Sequence, residues 1–189
     1  MLRKIFFFLL LIFSLTAFVQ PKVRYRWPLK LLMDKKGYNA VGTEAIATTV
    51  DALDTIARPA GINAVSKRTE TEELKVTVDA YIIARGHEKD GDYHLVLQSI
   101  NSNATVIAEI PNPKNPKLKE NAPLRLLYGQ CRHFIDSSMG APWGGIRTLR
   151  KKRKVNITGV LFFDKMSHGT GHAPNGIEIH TVLEIKGIE

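Results

Sequence analysis

From residue 74 onward the chain alternates. In "LKVTVDAYIIARGHEKDGDYHLVLQSINSNATVIAEIP" apolar and polar positions exchange every second residue over three runs, roughly 74–86, 92–99 and 104–110. That is the period at which successive side chains of an extended strand face opposite ways. Asp90-Gly91 in the first break is a hairpin signal, and "NSN" marks the second. In the middle run Tyr93, Leu95 and Leu97 share one face, while His94, Val96 and Gln98 share the other. The stretch "PNPKNPKLKENAP" then loses all period and reads as an irregular surface loop. After it, Leu124, Leu127, Tyr128, Cys131, Phe134 and Ile135 recur at helical spacing and predict an amphipathic helix ending near "MGAPWGG". "RTLRKKRK" is expected as a solvated segment leading into a fourth strand, "VNITGVLFFD". "GIEIHTVLEIKGI" supplies a fifth.

Five strands with a helix between the third and fourth predict a mainly β, α+β domain built as a five-stranded OB-like β-barrel. Upstream, Thr43 is expected to N-cap a short helix with Ala45, Ile46, Thr49, Val50 and Leu53 as its apolar stripe, stopped by "RPAG". Residues 21–42 are basic, interrupted by Pro28 and without period, and are expected as an extended linker before a single domain at 43–189. Residues 1–20 read as a signal peptide or N-terminal anchor. "MLRK" is its basic start, and about fifteen apolar or small residues follow, fewer than the roughly 20 of a membrane span. Export to the periplasm or beyond the cell is therefore expected, with membrane contact only through this segment and a monomeric body.

Composition narrows the class. A content of 44% hydrophobic and 24% charged residues excludes a disordered chain and supports a full core. Cys131 is the only cysteine, so no internal disulfide can form and the core must supply the stability; a buried, inert thiol is expected. The formal charge of +9, or +7 without Arg3 and Lys4, favours anionic partners such as nucleic acid or an anionic envelope polymer. Arg147, Arg150, Lys151, Lys152, Arg153 and Lys154 are the candidate anion-binding residues. Tyr81, Tyr93, Phe162 and Phe163 are the aromatics that could stack bases if the ligand were single-stranded nucleic acid. No P-loop, G-x-S-x-G, G-x-G-x-x-G, H-E-x-x-H or C-x-x-C occurs.

The candidate chemistry lies in "FFDKMSHGTGHAPNGIEIHTVLEI", residues 162–185. Period-2 alternation puts Glu178 beside His180, and Asp92 beside His94. If the strand ends converge, His94, Glu109, Asp164, His168, Glu178 and His180 surround one pocket. Such a set suits Zn²⁺ or Mn²⁺ with an open coordination position. Without metal, His94, Glu178 and His180 are acid/base candidates. His168 and His172 are four apart in a glycine-rich loop, so helical zinc-site geometry does not apply to them. The same residues also admit a structural reading, which is preferred here. Asp164 and Asn175 hold the loop, Gly169, Gly171 and Gly176 turn it, Pro174 stiffens it, and His180 and Glu178 lock the last strand through His94. An exported binding module with a polar or anionic ligand is the leading expectation, and a metal-dependent hydrolase the alternative.

The blocks "DGDYHLVLQS", "VIAEIPNP", "VNITGVLFFD" and "HGTGHAPNGIEIHTVLEI", with "TTVDAL" upstream, together resemble a group of uncharacterised exported bacterial proteins. The group's pattern runs DGDYHLVL, MIAEIPDP, V-x-VTGVGFFD and HGQTGVAPNGIELHPVLDI, in the same order across residues 43–185. The resemblance implies a compact, export-linked, OB-like domain and brings no catalytic residues with it. This chain departs from the pattern at Thr181, where the group has proline, and at Gly169 to His172, where it has GQTGV. It also has lysines and no cysteine in the loop after "EIP".

Overall fold

The computed structural model describes residues 25–142, 144–167 and 169–189. The expected signal or anchor, residues 1–20, lies outside them, and no described helix is long and apolar enough to cross a membrane. The fold is mixed α+β and mostly β. Among the described residues its α-helices and strands are α1 (Trp27–Lys30), α2 (Lys35–Val41), β1 (Ile46–Thr48), α3 (Val50–Asp54), β2 (Lys75–His87), β3 (Tyr93–Ser99), β4 (Thr105–Ile110), α4 (Ala122–Met139), β5 (Arg147–Phe163) and β6 (Ile177–Gly187), with single 3-10 turns at Thr71–Glu73 and Pro116–Leu118.

Strand β2 pairs with β3 and β3 with β4, both antiparallel. β4 runs parallel to β6, and β6 antiparallel to β5. β5 then returns to β2, so the pairing comes back to its first strand. One sheet face is the main core: Val76, Val78, Ala80 and Ile82 of β2, Leu95 and Leu97 of β3, Val106, Ala108 and Ile110 of β4, and Val155 and Ile157 of β5. Helix α4 adds Leu124, Tyr128, Cys131 and Ile135, the spacing that predicted it. Burial pushes the Cys131 thiol up to about 12, which keeps it protonated and inert. Where β5 and β6 draw closest, the register shifts on both sides of Gly159. A Cβ there would stand 2.4 Å from the Thr181 carbonyl oxygen and 2.5 Å from Ile179 Cγ2, so only glycine fits.

Four features differ from the sequence reading. The sheet has six strands, because Ile46–Thr48 adds to β2 in parallel. The helix expected from Thr43 starts later. Thr49 caps α3 by accepting a hydrogen bond from Ala52 N at 3.1 Å, and Ile46 is half exposed rather than on an apolar stripe. The basic run 147–154 is the first half of β5, not a loop. Residues 25–41, expected as part of an extended linker, form α1 and α2, and Trp27, Leu31 and Leu32 join the core. Helices of four and seven residues are too short to show a 3.6 period, which is why the segment looked featureless.

What fastens that segment is Arg26. Its guanidinium donates to both carboxylate oxygens of Glu72, at 2.6 and 2.7 Å, with both side chains fully buried. It also donates to the carbonyls of Ser66 and Lys67. Glu72 in turn accepts from the backbone N–H groups of Thr69 and Phe163. Arg26 takes a left-handed backbone, φ 44, a strain that persists only because these bonds determine it. Burial would raise Glu72, but Arg26 and the two amides outweigh it and hold the carboxyl below its usual value. Its stabilising contribution is therefore present above the ordinary carboxyl range and is lost as pH falls through the lowered value. Glu72→Gln, leaving Arg26 buried without its counter-charge, is expected to cost about 3–5 kcal/mol in urea unfolding at neutral pH. The gap from the parent protein should narrow as the pH is taken below the ordinary carboxyl range. A cost under 1 kcal/mol, or one independent of pH, would contradict this role.

Candidate functional site

The other face of β3, β4 and β6 carries the polar residues. Alternation sends His94 and Val96 away from Leu95 and Leu97, and the register sets His94 opposite Glu109 and Val96 opposite Ile107. On the far side of β4, Ile107 lies opposite Glu178 and Ala108 opposite Ile179, so Glu109 falls beside His180. One rung thus reads His94, Glu109, His180 across three strands. His94 Nδ1 is 3.0 Å from Glu109 Oε1, and His180 Nδ1 is 3.0 Å from Glu109 Oε2. The second contact is an ion pair, and neither ring nitrogen of His180 has a well-formed hydrogen-bond partner. His180 Nδ1 is also 3.5 Å from Glu178 Oε2.

A sheet face bearing such residues would ordinarily be wet. Here His180 is 0% exposed, Glu178 2%, His94 4% and Glu109 7%. Two segments cover it. From the N-terminal side, Lys30 reaches in, its Nζ 2.7 Å from Asp164 Oδ2 and 4.0 Å from Glu109 Oε2. Thr181 Oγ1 donates to the Lys30 carbonyl at 2.7 Å, which ties that segment to β6. The Phe162 ring underlies Arg26 and Lys30, at 4.8 and 5.4 Å. From the other side comes the loop between β5 and β6. Gly171 (φ +89) lies so close to Val96 that a Cβ would stand 2.5 Å from Val96 Cγ1. His172 stacks edge-on against His94 at 6.2 Å. The loop's end is pinned by Asn175, whose amide donates to the carbonyls of Leu53 and Ile56 while its oxygen accepts from Ile177 N.

Burial disfavours every charge in this cluster, and the neighbours decide which survive. Burial would lower the His180 imidazole, but the Glu109 carboxylate outweighs it and brings it up to about 9. Burial would raise Glu109, yet His180 and the bond from His94 hold it well below the carboxylate range. Burial would lower Lys30, but Glu109, Glu178 and Asp164 keep it above its ordinary value. The same carboxylate raises His94 against its burial. Glu178 is pushed up by burial and by Glu109. Asp92, fully buried at the start of β3, is pushed up to about 6 by burial, with only partial relief from His180. Near neutrality the cluster holds cationic His180 and Lys30 around anionic Glu109, and Lys30 is also paired with Asp164.

Of the residues expected to meet, His94, Glu109, Glu178 and His180 do, and Asp164 joins through Lys30. His168 lies outside the described residues. The lock expected from a His180–Glu178 pair acting through His94 does involve His94 and His180, but the carboxylate between them is Glu109, 3.0 Å from each. Asp164 accepts from Lys165 N, and Asn175 holds the loop by gripping α3. Four members were not anticipated: Lys30, Glu88, Asp92 and His172. Glu88 Oε1 is 3.3 Å from His94 Nδ1, and His172 Nδ1 is 3.9 Å from Glu178 Oε1. Alternation had put Asp92 on the His94 face, which was the available signal. Nothing local marked Lys30, which reaches the site from a segment read as linker. Two trios could each hold a metal ion, Glu88–His94–Glu109 and Asp92–Glu109–His180, with ligand atoms within 4.8 Å of one another.

The six basic residues stand apart, on β5. Arg147, Arg150, Lys151, Lys152 and Arg153 are exposed and Lys154 half-buried. Arg153 lies opposite Ile82 and Thr148 opposite Ala84, so the single residue Ile83 of β2 faces residues 149–152 of β5. Arg150, Lys151 and Lys152 therefore sit on a pronounced bulge. Lys152 Nζ lies 3.8 Å over the Tyr81 ring. Tyr93 is covered by Arg132 at 4.0 Å, and Phe162 and Phe163 are fully buried.

No protein-family profile and no curated protein matches the chain. Among solved structures it is similar to OBody AM2EP06 and OBody AM3L09, each bound to hen egg-white lysozyme, at 15% and 16% identity. Both have a TM-score of 0.36 and cover 66% of this chain, against 94% and 96% of their own.

Glu109 is the group on which both histidines and Lys30 converge. Glu109→Gln keeps the shape and removes the charge, leaving Lys30 buried short of a counter-charge and His180 without the carboxylate that keeps it protonated. A loss of about 3–5 kcal/mol is expected by chemical denaturation, larger than that of His94→Gln, after which Glu109 still keeps His180 and Lys30. Equal or smaller loss at Glu109 would contradict its central place.

Proposed function

We propose that the protein is an exported binding module on an OB-like barrel, and that its ligand is an anionic polymer held by the bulged basic strand β5. The barrel reading rests on the order β2-β3-β4-β6-β5 returning to β2, the parallel β4–β6 step and the helix between β4 and β5. Export rests on the apolar run after "MLRK" and on the resemblance to exported bacterial proteins.

The observation that carries the function is the cluster of exposed cations at the bulge. In an OB barrel the face of the second and third strands and its neighbouring loops take the ligand. In this chain the corresponding face is β3 and β4, buried under Lys30 and the β5–β6 loop. What remains open to a large ligand is the outer edge, where Arg150, Lys151, Lys152 and Arg153 project without acidic partners. The aromatics considered for base stacking are capped by cations or buried. Recognition is accordingly by charge, and a sulfated or phosphorylated polymer fits better than a stacked single strand of nucleic acid.

The second reading, a zinc- or manganese-dependent hydrolase, draws on the His–carboxylate cluster, where two trios have ligand-like spacing. Against an open catalytic ion stands the Lys30 ammonium, which already occupies the side facing Asp164 and Glu109.

Retention on a heparin column at low salt is expected, with release shifted to lower salt when Arg150, Lys151 and Lys152 are all changed to serine. Each neutralised contact should flatten the salt dependence by about 0.7–0.9 in log–log slope. Equal elution of the two proteins, or no retention of the parent, would overturn the reading. Tighter retention on single-stranded DNA than on heparin would shift the ligand to nucleic acid.

A further inference from the structure

Asp92 is a buried carboxylate with half its bonding unmet. Its Oδ1 accepts from Asn112 N at 2.7 Å, while Oδ2 has no partner. The nearest arginine does not neutralise it. Arg132 stands 4.0 Å from Oδ1 and donates instead to the carbonyls of Gly91, Ile110 and Pro111. Beside Asp92 lies His180, fully buried, with neither ring nitrogen hydrogen-bonded. Glu109 completes the group, and one ligand atom from each of the three lies within 4.8 Å of the others. Unmet buried polar atoms are costly, and each such group requires a partner.

We propose that Asp92, Glu109 and His180 form a binding site for one small divalent transition-metal ion, zinc or manganese. Two carboxylates and the His180 imidazole, which gives up its proton to solvent as the ion binds, balance a divalent charge and offer the hard oxygen and borderline nitrogen donors that such ions take. Calcium would need six to eight oxygen ligands, which this trio does not supply. The alternative trio, Glu88–His94–Glu109, is less suited. His94 Nδ1 already bonds Glu109, and Glu88 is partly in solvent. The proposed ion also differs from the hydrolytic set considered above. It uses Asp92, leaves out Asp164 and Glu178, and lies among buried ligands, so its work is to tie the turn before β3 to β4 and β6. Oxygen from Asp92 in the turn before β3, oxygen from Glu109 on β4 and nitrogen from His180 on β6 come from three separate segments, and an ion there would cross-link the seam where β4 and β6 share only a short parallel pairing. The inference is independent of polyanion binding, which heparin retention reads separately.

The test is titration of the chelator-treated full chain with zinc chloride or manganese chloride by calorimetry, alongside thermal unfolding. One ion per chain is expected, with the melting temperature rising as the ion is added. Asp92→Asn keeps the acceptor for Asn112 N and should still fold. It should weaken the ion by more than about 100-fold, the upper end of what a change merely behind a metal ligand costs. His180→Gln should do the same, and Glu88→Gln should leave affinity within about threefold. Absence of binding by either metal overturns the proposal. So does unchanged affinity in Asp92→Asn, or loss of binding in Glu88→Gln, which would move the ion to the His94 side. If His180→Gln fails to fold, Asp92→Asn alone decides.

Discussion

A carboxylate buried among strands must be compensated or neutralised, and Glu109 is placed so that much of the molecule does the compensating. It lies at the middle of a rung between two histidines, with a lysine from the N-terminal segment on its outer side. The desolvation of such a group costs several kcal/mol in effective terms. The surrounding elements must therefore arrive together, because removing any one of them leaves a bare charge behind. That requirement links β3, β4 and β6 to the N-terminal segment that carries Lys30.

The same requirement explains why one sheet face became interior. Val96, Ile107 and Ala84 form a small apolar cluster separate from the main core. The β5–β6 loop presses onto it through Gly171, while Arg26 and Lys30 close over Phe162. Apolar contact alone would not choose this geometry over a slipped one, whereas paired buried charges do, a role for which such pairs are well suited. With the face closed, the exposed chemistry of the protein is displaced to the bulged basic edge of β5. The functional proposal follows from this division: a compensated interior that seals the scaffold, and an uncompensated exterior that meets an anion.

Much of this was legible in the sequence because period-2 alternation is strong where one face of a strand meets a core. The five long strands and the sharing of a face by Glu178 and His180 came from that pattern, and α4 from the helical spacing of Leu124, Leu127, Tyr128, Cys131, Phe134 and Ile135. Two things were not legible. The N-terminal helices are short, and the cations that make them look like a solvated arm, Arg26 and Lys30, are buried partners of Glu72, Asp164 and Glu109. Charge type in a sequence does not reveal whether a charge is paired. The basic run was read as a loop because lysine and arginine are poor strand residues. It extends as a strand because β2 continues beside it as far as His87 and offers a ladder. Asp92 shows the limit most plainly. Alternation placed it beside His94, but that no arginine neutralises it depends on Arg132 being occupied by three backbone carbonyls.

The most direct test of the account is a double-mutant cycle between Lys30 and Glu109, with Lys30→Met and Glu109→Gln made singly and together and unfolding free energies measured in urea. If the N-terminal segment is held by the charge at the centre of the rung, the two losses will not add. The coupling should fall in the range of about 0.5–3 kcal/mol found for residues in one network. Losses that add to within about 0.3 kcal/mol would mean that the segment docks independently of Glu109, and the account of the buried face would be wrong.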